Sequence, residues 1–359
     1  TGYCKADAGG YFPLKSFRQG CFEQKGEKRL KKKKIAGWLR FLIAFFCTIL
    51  VCGAGLWICY TYVFSGMDRE ESLSGEDVGV EEQDYHSKDI VNIALFGIDT
   101  TDASMVGRSD SIIILTLDNK KKEIRMSAIQ RDTYVPVEGY GKTKINHAYA
   151  YGGPTLAVKT LNQNFGLDIT DYVVVNFTNM EKVIDVLGGI ELEVTETYRQ
   201  EANKHIKYLA EERNIKPKLI EKSGTQTLSG MQVLGMLRAR YNVGGVGVRS
   251  QMHELVLSAC YEKVKSMSVL QYPGVAKSLL DLVKTTLTSG DVTNLGMKVM
   301  VSGFKIRQAV FPLEEDQKGY GGKMIGGVWY LTYNTETGNQ HIRDFIYDGV
   351  LYGEEESAE

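Results

Sequence analysis

Two apolar segments decide the fold of this chain: IVNIALFG (90–97) and SIIILTL (111–117). Both are continuous apolar runs of strand length, which is typical of strands buried on both faces in the centre of a sheet. A third strand is predicted at EIRMSAI (123–129), after a turn at DNKKK (118–122). Strand and helix patterns then alternate along the chain, which indicates an α/β fold with a mixed central β-sheet flanked by helices.

The remaining elements follow from the same periodicities. The further predicted strands are YVVVNF (172–177), IELEV (190–194), IRQAVFPL (306–313) and VWYLTY (328–333). The predicted helices cover 154–165, 178–187 with Thr178 as the N-cap, 229–240, 250–267 and a final segment near 339–347. Two more helices are predicted between 268 and 305.

An uncharged apolar run precedes the predicted sheet. Residues 41–67 contain no Asp, Glu, Lys or Arg. As an α-helix rising about 1.5 Å per residue, this run spans about 40 Å, more than the ~30 Å hydrocarbon core of a bilayer. It is too long for a usual signal sequence, and no clear cleavage site follows it. We therefore expect one transmembrane helix over residues 37–65.

The net charge of -1 hides a strong asymmetry between the two sides of this run. Residues 1–40 carry a net charge of +8, and the residues after Met67 carry -9. The positive-inside rule makes residues 1–36 a basic cytoplasmic tail. We expect an acidic, solvated linker over 66–88, an extracytoplasmic domain over 89–350 and an acidic tail over 351–359. The basic arm suits anionic membrane lipid, and an acidic outer domain disfavours nucleic acid.

Several classes of function are disfavoured by what the sequence lacks. Only Cys260 lies after Met67, so the outer domain has no internal disulfide framework, and no Cys/His spacing indicates zinc. The chain has no GxxxxGK[ST], GxSxG or HExxH segment. The sequence therefore does not predict nucleotide hydrolysis of the P-loop type.

Charged residues flank the ends of the first three predicted strands. Asp99 follows the first strand, Arg108 and Asp110 stand at the start of the second, and Arg131-Asp132 follows the third. If the second strand runs antiparallel to its neighbours, all five residues meet at one edge of the sheet, where ligands of α/β proteins bind. Taken singly, each has an ordinary explanation as a turn residue or a surface ion pair. Their convergence favours a site.

A cluster of this composition suits a phosphate ligand. The planar guanidinium pairs with phosphate oxygens at two points, and several arginines together suit a pyrophosphate. Carboxylates among them would repel a phosphate unless a cation such as Mg²⁺ bridged the two. One aspartate could instead take the proton of an attacking hydroxyl. Arg238 and Arg240 end a predicted helix, where cations also suit the helix dipole.

Five blocks of sequence, in order, closely resemble the LytR-CpsA-Psr family. They are NIALFGIDT (92–100), GRSDSIIILTLD (107–118), IQRDTYV with YGKTKINHAYAYGGP (129–154), YVVVNF with LGGIELEV (172–194) and TLSGMQVLGMLRARY (227–241). The resemblance runs from about residue 89 to 265 and continues more weakly to about 350. The KINHAYAYGGP segment is its most specific part.

The resemblance implies a phosphotransferase of the bacterial cell wall. Family members move a polyprenyl-pyrophosphate-linked glycopolymer, such as a teichoic acid or capsule polymer, onto a peptidoglycan sugar hydroxyl and release polyprenyl phosphate. This implies a single-pass protein of a Gram-positive type of cell membrane with its catalytic domain outside. It also implies Mg²⁺ as cofactor, lipid-linked polymer and peptidoglycan as partners, and an apolar cleft for the prenyl tail between helices and sheet.

The resemblance also assigns roles to single residues. It implies that the diphosphate is held by Arg108, Arg131, Lys144, Arg238, Arg240 and Arg249. It implies a catalytic group of Arg108, Asp110, Arg131 and Asp132, in which Asp132 either orients Arg131 or acts as a base. Asp99 and Asp110 either bind Mg²⁺ or orient the arginines.

One stretch departs from the family pattern. Members usually carry Asp-Phe-Gly-Arg and then Arg-Gln three residues on, whereas this chain has VGVRSQMH (246–253). Arg249 keeps the first arginine, but Val246 replaces the acid and Met252-His253 replaces Arg-Gln. We therefore expect one fewer cation at the diphosphate. Two alternatives to the transferase stay open: a catalytically weakened regulator that binds polyprenyl diphosphate, and a hydrolase of lipid diphosphates.

Overall fold

A computed structural model of the chain describes residues 37–80, 89–100, 105, 107–239 and 246–354, with the side chains of 37–44, 246–250, 269 and 299–302 left undescribed. The chain forms two compact units, Thr1–Ile58 and Cys59–Glu359. Helix α1 spans Gly37–Phe64. Its segment Phe45–Phe64 is long and apolar enough to cross a membrane, and most of its side chains are exposed. This helix matches the membrane span predicted over residues 37–65.

The second unit contains thirteen strands and eight further helices within the described residues. The strands are β1 (Asp68–Arg69), β2 (Ile90–Ile98), β3 (Ser109–Asp118), β4 (Glu123–Ile129), β5 (Tyr134–Val137), β6 (Gly141–Lys144), β7 (Asp171–Asn176), β8 (Ile190–Val194), β9 (Gly224–Leu228), β10 (Lys284–Thr285), β11 (Lys305–Phe311), β12 (Gly321–Ile325) and β13 (Val328–Thr332). The helices are α2 (His147–Phe165), α3 (Phe177–Val186), α4 (Glu196–Glu212), α5 (Gly230–Arg238), α6 (Val246–Lys265), α7 (Tyr272–Leu280), α8 (Ser289–Ser302) and α9 (Thr335–Arg343).

A seven-stranded mixed sheet in the order β1-β10-β7-β2-β3-β4-β11 forms the centre of the unit. Strand β3 is antiparallel to both β2 and β4, while β7 runs parallel to β2. The antiparallel second strand inferred from the charged strand ends is therefore confirmed. As a result, the ends of β2, β4 and β7 and the start of β3 lie at the same edge of the sheet. The hairpins β5–β6 and β12–β13 and the antiparallel pair β8–β9, whose strands are connected through α4, lie outside this sheet.

Alternate residues of the central strands face two different helical layers. On one face, Phe96 and Ile114 pack with Leu161 and Phe165 of α2 in the largest core cluster. All four side chains are fully buried. Burial of such a side chain contributes about 1.5–3 kcal/mol relative to exposure, so this layer supplies much of the driving force for folding.

The opposite face of the sheet is covered less completely. Leu95 and Leu115 lie in central strands yet are only partly buried, and they pack against Leu257 and Tyr261 of α6. Because strands in the middle of a sheet are normally buried on both sides, partial burial here indicates space between the sheet and α6.

A break in α2 explains why the sequence predicted only its second part. Gly152 and Gly153 have non-helical backbone angles, with φ of 65° at Gly153, and Pro154 follows them. A positive φ is easy only for glycine, and proline is well placed at the first turn of a helix. The first part of α2, from His147, therefore has its own direction next to the charged edge of the sheet.

The expectation of a solvated linker is wrong for the described residues between 66 and 80. Strand β1 pairs with β10, and the Tyr172 hydroxyl donates a hydrogen bond to Glu70. Val78 is fully buried in the main core, and its carbonyl accepts a hydrogen bond of 3.0 Å from Asn162 Nδ2. These contacts outweigh the acidic composition of the segment, so its described part belongs to the folded unit.

Two predicted helix ends also differ from the structure. The N-cap of α3 is Asn176, not Thr178, because the Asn176 side chain accepts the backbone N–H of Asn179 at 2.8 Å. Helix α5 ends at Arg238 rather than at residue 240, because Ala239 is extended with ψ of 123°. Helix α4 and strand β9, which pairs with β8, have no counterpart in the prediction.

Candidate active site

Four charged side chains form a chain of ion pairs at the common strand edge. Arg131, directly after β4, donates to the Asp110 carboxylate at the start of β3. Its Nε lies 3.4 Å from Asp132 Oδ2, and Lys144 Nζ at the end of β6 lies 2.6 Å from Asp132 Oδ1. The sequence predicted the meeting of the strand ends, and the structure shows it for these residues.

Partial burial makes this cluster rigid. The side chains of Asp110 and Asp132 are 11% and 7% exposed, and that of Arg131 is 21% exposed. Charge-assisted hydrogen bonds are shorter and about twice as strong as neutral ones, and solvent screens them less in such a site. Two carboxylates therefore hold one guanidinium in a fixed orientation.

Asp99 and Arg108 lie at the same edge on the loop between β2 and β3. The backbone N–H of Asp99 donates to the Arg108 carbonyl at 3.1 Å, and both residues are exposed. The pKa of His147, at the start of α2, is lowered by burial and then by the charges of Arg108 and Lys144, against the opposite effect of Asp132. His147 therefore lies within electrostatic reach of the cluster.

A polar cavity of about 230 Å³ adjoins this cluster. Its polar lining consists of Asp99, Asp110, His205, Tyr208, Arg238 and His253. These side chains come from two strand ends and from α4, α5 and α6. The cavity thus brings Asp99, Asp110 and Arg238, which the sequence singled out, into one space.

A second cavity of about 440 Å³ lies between the sheet and the helices α3, α6 and α7. Its lining is almost entirely apolar and includes Leu95, Leu115, Met180, Val183, Val256 and Leu257. This is the position at which the family resemblance implied a cleft for a prenyl tail. Burial raises the pKa of the Cys260 thiol in the same wall to about 12, which keeps this thiol neutral and unreactive.

The two cavities share three wall residues: Phe177, Leu237 and His253. The guanidinium carbon of Arg238 lies 5.1 Å from the centroid of the Phe177 ring, a cation–π distance. Phe177 starts α3 directly after β7, and Leu237 ends α5 beside Arg238. An apolar space and a charged space therefore lie next to each other, with these three side chains at their common boundary.

The departure at Met252-His253 has a different meaning in the structure from the one we expected. Met252 is 7% exposed and packs in the core cluster formed by α3–α6 and the β8–β9 strand pair. It lines neither of the two cavities, whereas His253 lines both. The expectation that Met252 removes a cation from the site is therefore not supported, because position 252 faces the core.

Some predicted site residues lie outside the description, and some site residues were missed. Arg240 and the side chain of Arg249 are not among the described parts of the chain. His205 and Tyr208 were missed because α4 was not predicted. Their signal was present in the apolar spacing of Ala202, Ile206 and Leu209, which are buried on the opposite side of α4.

The oxygen atoms near Asp110 fit a magnesium ion that also binds the substrate. Asn146 Nδ2 donates to Asp110 at 3.4 Å, while Asn146 Oδ1 is buried without a hydrogen-bond partner among the described residues. Within the same residues, no group of three or more His, Cys, Asp or Glu side chains is placed to hold a metal. Mg²⁺ commonly takes one or two carboxylates plus substrate phosphates. Asp99 and Asp110 suit that arrangement, and a closed protein cage is not formed here.

Comparisons with known proteins agree with one another. The LytR_cpsA_psr family model matches residues 59–343. The chain is 31% identical over 284 residues to the polyisoprenyl-teichoic acid–peptidoglycan teichoic acid transferase TagT of Bacillus subtilis (strain 168), covering 76% of this chain and 85% of that protein. It is 30% identical over 286 residues to the regulatory protein MsrR of Staphylococcus aureus (strain COL), covering 75% and 82%.

A solved structure gives the same result. The structure of the LytR-CPS2A-psr family protein YwtF (TagT) with bound octaprenyl pyrophosphate lipid matches with a TM-score of 0.56 and 25% identity. The match covers 79% of this chain and 99% of that one.

Proposed function

The chain belongs to the LytR-CpsA-Psr family, and from that premise we propose that it is a phosphotransferase of cell-wall assembly. Its donor is a polyprenyl-pyrophosphate-linked glycopolymer of the teichoic acid or capsule type. Its acceptor is a sugar hydroxyl of peptidoglycan, and its second product is polyprenyl phosphate. The relative TagT carries the name of such a transferase.

One observation carries this proposal: the apolar cavity adjoins the charged cavity, and the two share Phe177, Leu237 and His253 in their walls. A prenyl diphosphate has the same division, with a long apolar tail and a compact anionic head. Each buried CH₂ of the tail contributes about 0.8 kcal/mol, so the apolar cavity supplies affinity. The charged cavity fixes the position of the diphosphate.

The cations of the site are arranged to receive that diphosphate. Arg131 is held by Asp110 and Asp132, and Arg238 lies over the Phe177 ring at the boundary between the cavities. Arginines fixed in advance stabilise the charge that develops on phosphoryl oxygens without reorganising during the reaction. We include Arg108, Lys144, Arg240 and Arg249 as further diphosphate ligands on the strength of the family resemblance.

The proposed reaction is a displacement at the phosphorus that is bonded to the glycopolymer. The acceptor hydroxyl oxygen forms a new bond to this phosphorus, and the bridging P–O bond to the prenyl phosphate breaks. The leaving polyprenyl phosphate takes the electron pair of that bond. Asp132, which is already hydrogen-bonded to Lys144 and Arg131, accepts the proton of the hydroxyl.

Asp99 and Asp110 would hold Mg²⁺ together with the phosphate oxygens of the donor. The ion would supply neutralisation of the diphosphate charge. The Arg131–Asp110 ion pair supports a second role for Asp110, which is to orient this arginine.

The membrane helix gives this reaction a location. Helix α1 supplies a single span, and the basic residues that precede it place the N-terminus in the cytoplasm under the positive-inside rule. The domain then lies outside, on the side where lipid-linked polymers meet peptidoglycan.

Two alternatives use the same site. A hydrolase would have water in place of the sugar hydroxyl, and a regulator would bind the lipid diphosphate without transfer. The relative MsrR is named a regulatory protein. Of the changes on which the regulator hypothesis rests, Met252 lies in the core, whereas His253 lines both cavities.

Reconstitution separates the three functions. The full chain in detergent is incubated with lipid-linked polymer, Mg²⁺ and peptidoglycan, and polymer covalently bound to peptidoglycan is measured. Asp132→Asn should lower the rate by about 100-fold or more, as expected for the loss of a general base, and Asp291→Asn in the cap of α8 serves as control. Free polymer phosphate without peptidoglycan product would indicate the hydrolase, and tight donor binding with neither product would indicate the regulator.

A further inference from the structure

Five aromatic side chains form two groups, one beside Lys144 and one beside His147, and the reaction proposed above does not use them. We call Tyr134, Tyr140, Tyr151, Trp329 and Tyr330 the aromatic surface. Tyr140 and Tyr151 are stacked, with ring centroids 4.3 Å apart and planes at 17°. Tyr134 and Tyr330 contact each other with centroids 4.7 Å apart.

Lys144 connects one part of the aromatic surface to the site. Its Nζ lies 2.6 Å from Asp132 Oδ1 and 5.9 Å from the ring centroids of both Trp329 and Tyr330. The backbone N–H of Leu331 donates to the Asp132 carbonyl at 2.9 Å. Strand β13 is therefore fixed directly against the residue that we assign as the base.

His147 connects the other part. Its Nδ1 lies 2.9 Å from the Thr143 hydroxyl and 3.5 Å from the Tyr151 hydroxyl, and its ring contacts that of Tyr151. The charges of Arg108, Lys144 and Asp132 all act on the pKa of this histidine. Tyr151 of this stack thus contacts a histidine on which the charges of the cluster act.

Much of this aromatic area faces solvent. Tyr140, Tyr151 and Trp329 are 54%, 43% and 36% exposed. Exposed aromatic rings that cluster on one surface are uncommon unless they bind something, because burying them elsewhere would stabilise the fold. Each tyrosine also keeps a polar hydroxyl, so the surface offers flat apolar faces with polar edges.

We propose that the aromatic surface is the acceptor subsite and that it binds the glycan strand of peptidoglycan. The inference rests on the proposed function, which requires a sugar hydroxyl beside Asp132. A pyranose ring has an apolar C–H face that packs on an aromatic ring, while its hydroxyls and amides remain in water or bond to polar edges. The aromatic surface has this amphipathic character and lies beside the base.

In this arrangement the donor and the acceptor would bind on different sides of the chain of ion pairs. Asp110 and Arg238 line the polar cavity that adjoins the apolar one. Asp132 and Lys144 face Trp329 and Tyr330. The donor enters from the first side and the acceptor from the second, so the attacking hydroxyl and the diphosphate meet between Arg131 and Asp132.

Saccharide binding to single variants tests this inference. The probe is a soluble peptidoglycan-derived tetrasaccharide of alternating N-acetylglucosamine and N-acetylmuramic acid, titrated into the full chain in nanodiscs. Tyr151→Ala and Tyr140→Ala should each weaken binding about tenfold, the effect of about 1.4 kcal/mol, in the range known for stacking a planar ring on an aromatic side chain. Tyr151→Phe keeps the ring and should bind within about twofold of the parent.

A matched control comes from another exposed tyrosine. Tyr352 contacts His341 of α9. In the same helix, Asn339 donates a hydrogen bond to the carbonyl of Asn164, which lies at the opposite end of α2 from His147. Tyr352→Ala should bind the tetrasaccharide as the parent does. Equal saccharide affinity in the parent, Tyr140→Ala and Tyr151→Ala would overturn the proposal. The proposal would also be overturned if these two substitutions weakened only the binding to lipid vesicles that lack saccharide.

Octaprenyl pyrophosphate binding, measured on the same samples, separates this inference from the proposed function. Loss of saccharide binding with retained diphosphate binding supports the acceptor subsite. Absence of diphosphate binding in the parent chain would refute the proposed function, while the saccharide titration would still show whether the aromatic surface binds a glycan.

Discussion

Replacing Arg131 by alanine removes the residue around which the charged cluster is organised. In the structure its guanidinium bonds to Asp110 and to Asp132, whose side chains are 11% and 7% exposed. Hydrogen bonds to charged groups contribute about 1.5–3 kcal/mol each. Breaking a fully buried ion pair costs roughly 3–5 kcal/mol. Because the Arg131 side chain is 21% exposed, we expect a smaller loss of stability here, about 1–3 kcal/mol.

The effect on the donor should be larger than this structural effect suggests. Arg131→Ala removes a bidentate phosphate ligand and leaves two carboxylates facing the diphosphate. We expect affinity for octaprenyl pyrophosphate to fall by about 2–3 kcal/mol, roughly 30- to 150-fold. Arg131→Lys keeps the charge but loses the planar fork, and should fall between the parent and the alanine variant.

Calorimetry on the full chain in detergent measures these affinities, with and without Mg²⁺. Arg199→Ala is the control, because Arg199 pairs with Glu196 on the surface of α4. A double-mutant cycle with Asp110→Ala, measured by denaturant unfolding without Mg²⁺, should give a coupling energy of about 1 kcal/mol or more. Unchanged donor affinity in Arg131→Ala, together with no coupling, would refute the role assigned to this cluster.

The remaining predictions concern the cavity wall and a buried carboxyl. Leu115→Trp narrows the apolar cavity. It should weaken octaprenyl pyrophosphate binding at least about tenfold and leave inorganic pyrophosphate binding unchanged. An equal loss of affinity for both ligands in calorimetry would argue against a prenyl tail in this cavity. Burial raises the pKa of Glu254 to about 8, although the backbone N–H groups of Ala128 and Ala309 oppose this. The folded state therefore holds a proton that the unfolded state loses near pH 4.5. The free energy of unfolding should fall as pH rises from about 4.5 to 8, by about 5 kcal/mol at most. Glu254→Gln should flatten this dependence in denaturant unfolding curves, and an unaltered pH profile would show that Glu254 does not titrate in this range.

The strand edge was predictable because it depends on short-range patterns. Continuous apolar runs identified β2 and β3, and the charged residues at their ends required only an antiparallel neighbour to meet. The structure confirms that neighbour. By contrast, the partner of Asp132 is Lys144, at the end of a hairpin twelve residues on, and no local pattern specifies such a contact.

Other features depend on how helices face the core. Whether Met252 or His253 points into the site is decided by the rotation of α6 against the sheet, and the sequence does not state which face is buried. The structure places Met252 in the core and His253 in the walls of both cavities, so the two positions of this departure differ in their relation to the site. The acidic segment after the membrane helix was misjudged for a related reason: the burial of Val78 outweighs the charges around it.

The account requires that one amphipathic ligand occupies both cavities at once. The most direct measurement is a structure of the full chain with octaprenyl pyrophosphate. We expect the prenyl tail between the sheet and α6, beside Leu95 and Leu257, and the diphosphate beyond Phe177, in contact with Arg131 and Arg238. A diphosphate bound elsewhere, or a tail lying outside an empty apolar cavity, would contradict the proposed function.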